Sequence, residues 1–290
     1  MDNLLAINLM LTTQCNFECG HCFYSCGPDN NPEYMNSDIL DTAIRAAEQL
    51  DATINLIGGE PTLNLPAFER IFDRVTQSSC NIEMTTNGWW LDKPAAAARF
   101  MRIVRNAADY SQIQVRISND RFHQEFWKRD KANLLDELFE CPEDYFGCTY
   151  YCPECGREKG DHFCAECAEE CDSEPNIDFN LPEPPNTIDP WIWVEKDRSY
   201  EPVPNGRGID QWQGIFLYGC QEYSKVCGLT YRPDGTVTDP GGCGCGMILG
   251  SYKDDPAEML ARAERFVTEM KPGCLNCLEQ WDKWTQGGMQ

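Results

Sequence analysis

From residue 4 onward, short apolar runs alternate with amphipathic stretches, four times in succession. Residues 4–13 (LLAINLMLTT) form a mainly apolar run of strand length. Leu40, Ala43, Ile44, Ala47 and Leu50 then recur at helical spacing and predict a helix over 37–50. Residues 53–57 (TINLI) read as a strand stopped by Gly58-Gly59. Pro66 can open the next helix as its first residue, with Phe68, Ile71, Phe72 and Val75 facing inward. Residues 80–86 (CNIEMTT) read as a third strand, ended by Asn87-Gly88. Asp92 can cap a helix running to about Ala108, with Pro94 in its first turn. Residues 111–118 make a fourth strand and 122–140 a fourth helix. Strand followed by helix, repeated, predicts right-handed βαβ units and therefore an α/β fold with a parallel sheet or barrel.

The alternation breaks at Cys141. Residues 141–171 carry seven cysteines, and 172–190 are rich in Pro and acid and read as a connector. The aromatic run 191–194 (WIWV) restarts the sheet, and 215–218 (IFLY) has strand character. After Cys220 come further cysteines, a turn at Pro233-Asp234-Gly235 and one helix from about Pro256 to Met270. The expected organisation is a barrel over 1–140 and 191–219, an insertion at 141–171, a connector at 172–190 and a C-terminal region at 220–290.

Composition narrows the classes. The 290 residues are 42% apolar and 24% charged, which suits a globular chain. Lys and Arg number 24 against 47 Asp and Glu, a formal charge of −23. Such a surface repels phosphate backbones and anionic lipid, so nucleic-acid binding is unfavoured. The apolar runs fall far short of the ~20 residues that span a bilayer. No basic-then-apolar leader opens the chain, so a cytoplasmic protein is expected. The 18 cysteines are the decisive count. They fall in close groups, which in a cytosolic chain points to metal and away from disulfides.

Cys15, Cys19 and Cys22 follow the first strand as C-x3-C-x2-C. Three thiolates so close can hold three corners of a [4Fe–4S] cube and leave the fourth iron open. Zinc, with His21 or Cys26 as fourth ligand, is the alternative by spacing alone. The loop resembles the hallmark of the radical S-adenosylmethionine (SAM) superfamily, in which C-x3-C-x-Φ-C follows the first strand of a partial TIM barrel. The second hallmark of that family is GGEP at the end of the second strand, found here as Gly58-Gly59-Glu60-Pro61. The resemblance implies that this segment holds the SAM amino group. It also implies polar contacts to SAM from the ends of the third strand, at Asn87, and of the fourth, at Ser118 and Asp120. Turn formation and helix capping are the structural alternatives for Asn87 and Asp120. His123 suits helix-start packing or a substrate-side role. The chemistry implied is reductive cleavage of SAM to a 5′-deoxyadenosyl radical, which abstracts a hydrogen atom from a substrate.

A second group, Cys152, Cys155, Cys164 and Cys167, reads C-x2-C-x8-C-x2-C. Two such knuckles fit tetrahedral zinc and resemble a zinc ribbon, with a rubredoxin-type iron as the rival. In the third group, Cys227, Cys243, Cys245, Cys274 and Cys277 surround the PDG turn. This resembles a SPASM or twitch extension, which implies one auxiliary [4Fe–4S] cluster held by four of the five; a second zinc site is the alternative. Cys220 is left as a further ligand, a hydrogen donor to a substrate radical, or a buried thiol. Roles for Cys26, Cys80, Cys141, Cys148 and Cys171 stay open.

The expected protein is thus a radical SAM enzyme acting on a peptide or protein, with a small molecule or nucleotide as rival substrate. An electron donor such as flavodoxin or ferredoxin would serve it. The first strand lies so near Met1 that no N-terminal peptide-recognition domain is expected. A zinc-bound scaffold, or an electron carrier without SAM chemistry, is the reading from another class.

Overall fold

The structure is a computed structural model that describes residues 5–22, 24–107, 113–140, 150–151, 158–159, 191–194, 228–238 and 248–269. In chain order its elements are β1 (Ala6–Met10), α1 (Ser37–Gln49), β2 (Thr53–Ile57), α2 (Leu65–Val75), β3 (Ile82–Thr86), α3 (Pro94–Arg105) and β4 (Ile113–Ile117). Then come α4 (Arg121–Gln124), α5 (Lys131–Glu140), β5 (Tyr150–Tyr151), β6 (Glu158–Lys159) and β7 (Trp191–Val194). The last are β8 (Gly228–Tyr231), β9 (Thr236–Thr238), β10 (Ile248–Ser251) and α6 (Pro256–Glu269). The architecture is mixed α/β and rich in parallel strand pairs. The chain divides into two compact units, one of Met1–Pro61 with Tyr200–Gln290, the other of Thr62–Ser199.

In the first unit the strand order is β10-β9-β8-β1-β2. β1 pairs parallel with β2 and with β8, whereas β8–β9 and β9–β10 are antiparallel. Alternation sorts the strand residues into two sets. Ile7, Leu9, Ile54, Leu56, Leu229 and Tyr231 are fully buried in one. The other carries a polar row in register: Asn55 opposite Asn8, Asn8 opposite Thr230, and Thr230 opposite Thr238. α1 packs on β1 and β2, and buries Ile39, Leu40, Ala43, Ile44 and Ala47. Its N-cap is Asn36, whose Oδ1 accepts from the Ile39 N–H at 3.0 Å. The expected PDG turn is present: Gly235 has φ +84°, and its N–H donates to the Arg232 carbonyl at 3.0 Å. α6 begins as expected at Pro256, after Asp255 accepts from the Ala257 N–H at 2.8 Å.

In the second unit β3, β4 and β7 run parallel, with Ile82 opposite Ile113 and Gln114 opposite Trp191. The aromatic run at 191–194 is therefore a strand of this sheet. α2 packs against α3 through Phe68, Phe72 and Phe100, and Trp90 stacks on Phe100 at 4.1 Å. Three helix starts differ from expectation. Leu65, not Pro66, is the first residue of α2, because Asn64 caps it by accepting from the Ala67 N–H at 3.1 Å. Lys93, not Asp92, stands at the N-cap of α3, and no side chain caps that end. The single helix expected over 122–140 is two, α4 and α5, because aspartates compete for the backbone at both starts. Asp120 caps α4, and Asp130 accepts from the Ala132 N–H at 2.8 Å to start α5.

β5 and β6 pair antiparallel on either side of Cys152 and Cys155. Those two cysteines, Cys164 and Cys167, the connector, the run 215–218, Cys220, and Cys227, Cys243, Cys245, Cys274 and Cys277 lie outside the described residues. Among the described residues no helix is long and apolar enough to cross a membrane.

Candidate functional site

The loop after β1 carries Cys15, Cys19 and Cys22, and backbone hydrogen bonds fix it at both ends. The Cys15 N–H donates to the Gly27 carbonyl at 3.0 Å, and beside it the Gln14 side-chain Nε2 donates to the Pro28 carbonyl at 3.0 Å. Inside the loop the Cys22 N–H meets the Cys19 carbonyl at 3.1 Å. All three thiols are free of disulfides; Cys15 and Cys19 are buried and Cys22 half-buried. Two of the sulfurs accept backbone N–H groups: Phe17 donates to Cys15 Sγ and Cys26 to Cys22 Sγ, each at 3.3 Å. Hydrogen bonds of this kind stabilise thiolate charge and tune iron–sulfur clusters. Three soft donors on one short loop, two with N–H groups already turned toward sulfur, fit an iron–sulfur cluster.

The end of β2 locks onto this loop. Leu11 N–H donates to the Ile57 carbonyl at 2.8 Å, Gly59 N–H to Thr12 at 2.7 Å and Glu60 N–H to Gln14 at 2.9 Å. The approach is too close for side chains. A Cβ on Gly59 would lie 2.0 Å from the Gln14 carbonyl oxygen, and one on Gly58 2.7 Å from that of Thr12. The two glycines thus serve the backbone contact that seats the cysteine loop. Glu60 is fully buried behind them, and Pro61 accepts from the Tyr34 hydroxyl at 3.1 Å. The structure brings Gly58, Gly59, Glu60 and Pro61 to the cysteine loop within the first unit.

The second unit brings the ends of β3 and β4 side by side, since the Ser118 N–H donates to the Thr86 carbonyl at 2.9 Å. Asn87 and Asp120 both adopt the structural roles open to them. Asn87 Oδ1 accepts from the Trp89 N–H at 3.0 Å and closes a turn. Asp120 Oδ1 accepts from the Phe122 and His123 N–H groups at 2.9 and 3.1 Å, and Oδ2 lies 2.7 Å from His123 Nδ1. His123 thus lies in the first turn of α4, held against its cap. Ser118, Asn87 and Asp120 are all buried.

Two features escape sequence reasoning. Lys131 is fully buried, and its Nζ donates to the Ser118 carbonyl. In the first unit, Asn55 Nδ2 donates to Asn8 Oδ1 at 2.8 Å and Asn8 Nδ2 to Thr230 Oγ1 at 3.4 Å. The even spacing of apolar residues in β1 and β2 marks strands, but nothing local says that these polar positions meet across them.

Residues 9–141 match the family model described as the radical SAM superfamily. This stretch is a radical SAM domain. Over 103 residues the chain is 34% identical to a GTP 3',8-cyclase of Haemophilus influenzae (strain PittEE), covering 31% of this chain and 28% of that protein. Over 143 residues it is 24% identical to YydG of Bacillus subtilis (strain 168), a protein named for peptide biosynthesis, covering 47% and 43%. The chain therefore spans less than half the length of either relative. Among solved structures, BtrN in complex with AdoMet and 2-DOIA shares the fold with a TM-score of 0.52 at 13% identity, over 94% of this chain and 89% of that one.

Proposed function

We propose that the chain cleaves SAM reductively and modifies a substrate by hydrogen-atom abstraction. The observation that carries this reading is the seating of Gly58-Gly59 on Thr12–Gln14, directly before the three-cysteine loop, in which Cys15 Sγ and Cys22 Sγ each accept a backbone N–H. Cys15, Cys19 and Cys22 would hold the [4Fe–4S] cluster. Glu60, Gly58, Gly59 and Pro61 are assigned to the SAM amino group, and Asn87 and Ser118 to its polar contacts. Asp120, which also caps α4, is assigned to those polar contacts with them. When bound, cluster and SAM together supply a 5′-deoxyadenosyl radical.

The substrate reading is a peptide or protein, supported by the relative named for peptide biosynthesis. A nucleotide or other small molecule is the second reading, favoured by the GTP 3',8-cyclase similarity. Zinc at Cys152, Cys155, Cys164 and Cys167, and an auxiliary cluster at four of Cys227, Cys243, Cys245, Cys274 and Cys277, complete the proposal, with Cys220 a candidate hydrogen donor. A flavodoxin or ferredoxin would deliver the electron. The test is anaerobic reconstitution with iron and sulfide, then dithionite and SAM, with 5′-deoxyadenosine measured. The protein should form it, and the variant with Cys15, Cys19 and Cys22 all changed to Ala should not. Equal product from both would remove these cysteines from the reaction.

A further inference from the structure

We propose that Lys131 is a positioning residue for SAM, which fixes the Ser118–Asp120 segment through the Ser118 carbonyl. The inference rests on the radical SAM reading of the site.

A lysine ammonium is rarely buried, because taking its charge out of water costs several kcal/mol unless polar groups receive it. Lys131 nevertheless has no exposed surface. It is the first residue of α5, and the Asp130 cap sets its direction. Its Nζ donates to the Ser118 carbonyl and lies 5.0 Å from the Trp127 ring centroid, within cation–π range. The recipient matters. Ser118 is the first residue beyond β4, at the C-terminal end of a parallel strand, where α/β folds place their ligands.

The rest of the segment is tied as closely. Ser118 N–H is held by the Thr86 carbonyl at 2.9 Å. The Asn119 carbonyl accepts from Gln124 Nε2 at 3.0 Å. The Asp120 carbonyl accepts from the His123 and Gln124 N–H groups, each at 3.0 Å, and its side chain caps α4. Within this set the Ser118 carbonyl is the group that a charged side chain holds from another helix, 13 residues away. A turn made only of local bonds could pivot at the end of β4. The Lys131 bond removes that freedom and presents Ser118 in one orientation. Preorganisation of this kind is what a ligand-contacting loop needs from its supporting residues.

The test compares the full chain, reconstituted anaerobically, as wild type, Lys131→Met and Lys131→Arg. SAM affinity is measured by calorimetric titration, and amide exchange at residues 118–124 is measured without SAM. Lys131→Met should load the same iron, weaken SAM binding by roughly 10- to 100-fold and speed exchange in this segment. Lys131→Arg, which keeps a charged donor, should restore most of both. Should Lys131→Met fail to fold, Lys131→Gln carries the same comparison. Wild-type affinity in the neutral variant overturns the proposal. So does weakened affinity with unchanged exchange, because the ammonium would then touch SAM itself. A wild type that binds no SAM sinks the radical SAM reading and this role with it. A binding wild type beside an equally binding Lys131→Met sinks only this role.

Discussion

At the scale of single residues, Gly59 and Glu60 are neighbours with opposite jobs. Gly59 is fixed by geometry: a methyl group there would stand 2.0 Å from one backbone atom of Gln14 and 2.4 Å from another. Backbone cannot step aside as a flexible side chain can, so relief would have to displace the loop that leads into Cys15. Gly59→Ala should therefore cost more than the ~1–3 kcal/mol of ordinary overpacking. Iron bound after reconstitution should fall along with the melting temperature; full iron loading at an unchanged melting temperature would refute the contact. Glu60, buried one residue further on, is the carboxylate proposed to receive the SAM ammonium. A charge-assisted hydrogen bond contributes about 1.5–3 kcal/mol, so Glu60→Gln should weaken SAM binding by roughly 10- to 150-fold. Calorimetric titration showing wild-type affinity would end that assignment.

At the scale of elements, β2 and the polar row on it show where sequence reading succeeds and stops. Residues 53–57 are a strand in the structure as expected, because a short apolar run followed by two glycines has few other solutions. The polar row is different: Asn8 meets Asn55 across 47 positions and Thr230 across 222, which no local pattern encodes. Lys131 was equally illegible, since lysine in a helical stretch ordinarily reads as solvated. The split between α4 and α5 was nearly legible in Asp130, a capping residue inside a run that otherwise keeps helical spacing. The motifs C-x3-C-x2-C and GGEP are more legible than the packing, because they are local strings. On β8, Tyr231 is a further case of a buried polar group, with no hydrogen-bond partner for its hydroxyl among the described residues. Burial, and then the negative charge of Asp255, push its pKa up to about 12. The fold thus keeps the phenol protonated where the unfolded chain, near pH 10, begins to lose the proton. Stability should be independent of this group below pH 10 and fall by roughly 2–3 kcal/mol as pH rises toward 12. Tyr231→Phe should be about 1 kcal/mol more stable at neutral pH and lose that alkaline slope. Denaturant melts of both proteins at pH 8 and 11 decide it; parallel losses in the two would mean that another group titrates.

At the scale of the whole molecule, the 18 cysteines and the charge of −23 make metal content the global observable. So acidic a chain draws cations nonspecifically, so the counts must be taken after chelation and desalting. The three cysteine groups differ in spacing, and spacing governs the metal. Cys152, Cys155, Cys164 and Cys167 lie within sixteen positions as two knuckles, the arrangement of a closed tetrahedral zinc. Cys227, Cys243, Cys245, Cys274 and Cys277 are spread over fifty-one positions, with the β8–β9 hairpin, β10 and α6 between them. Ligands so distant in sequence can converge only through a folded framework, which suits a cluster built into the C-terminal region more than a self-contained zinc knuckle. Two [4Fe–4S] clusters would give about eight irons per chain and the ribbon about one zinc. Changing Cys15, Cys19 and Cys22 together to Ala should then leave about four irons, the zinc and the brown colour, while SAM cleavage is lost. A colourless variant with no iron and about two zincs would make the C-terminal site a zinc site. The auxiliary cluster would then be dropped, and the three cysteines after β1 would hold all the iron in the molecule.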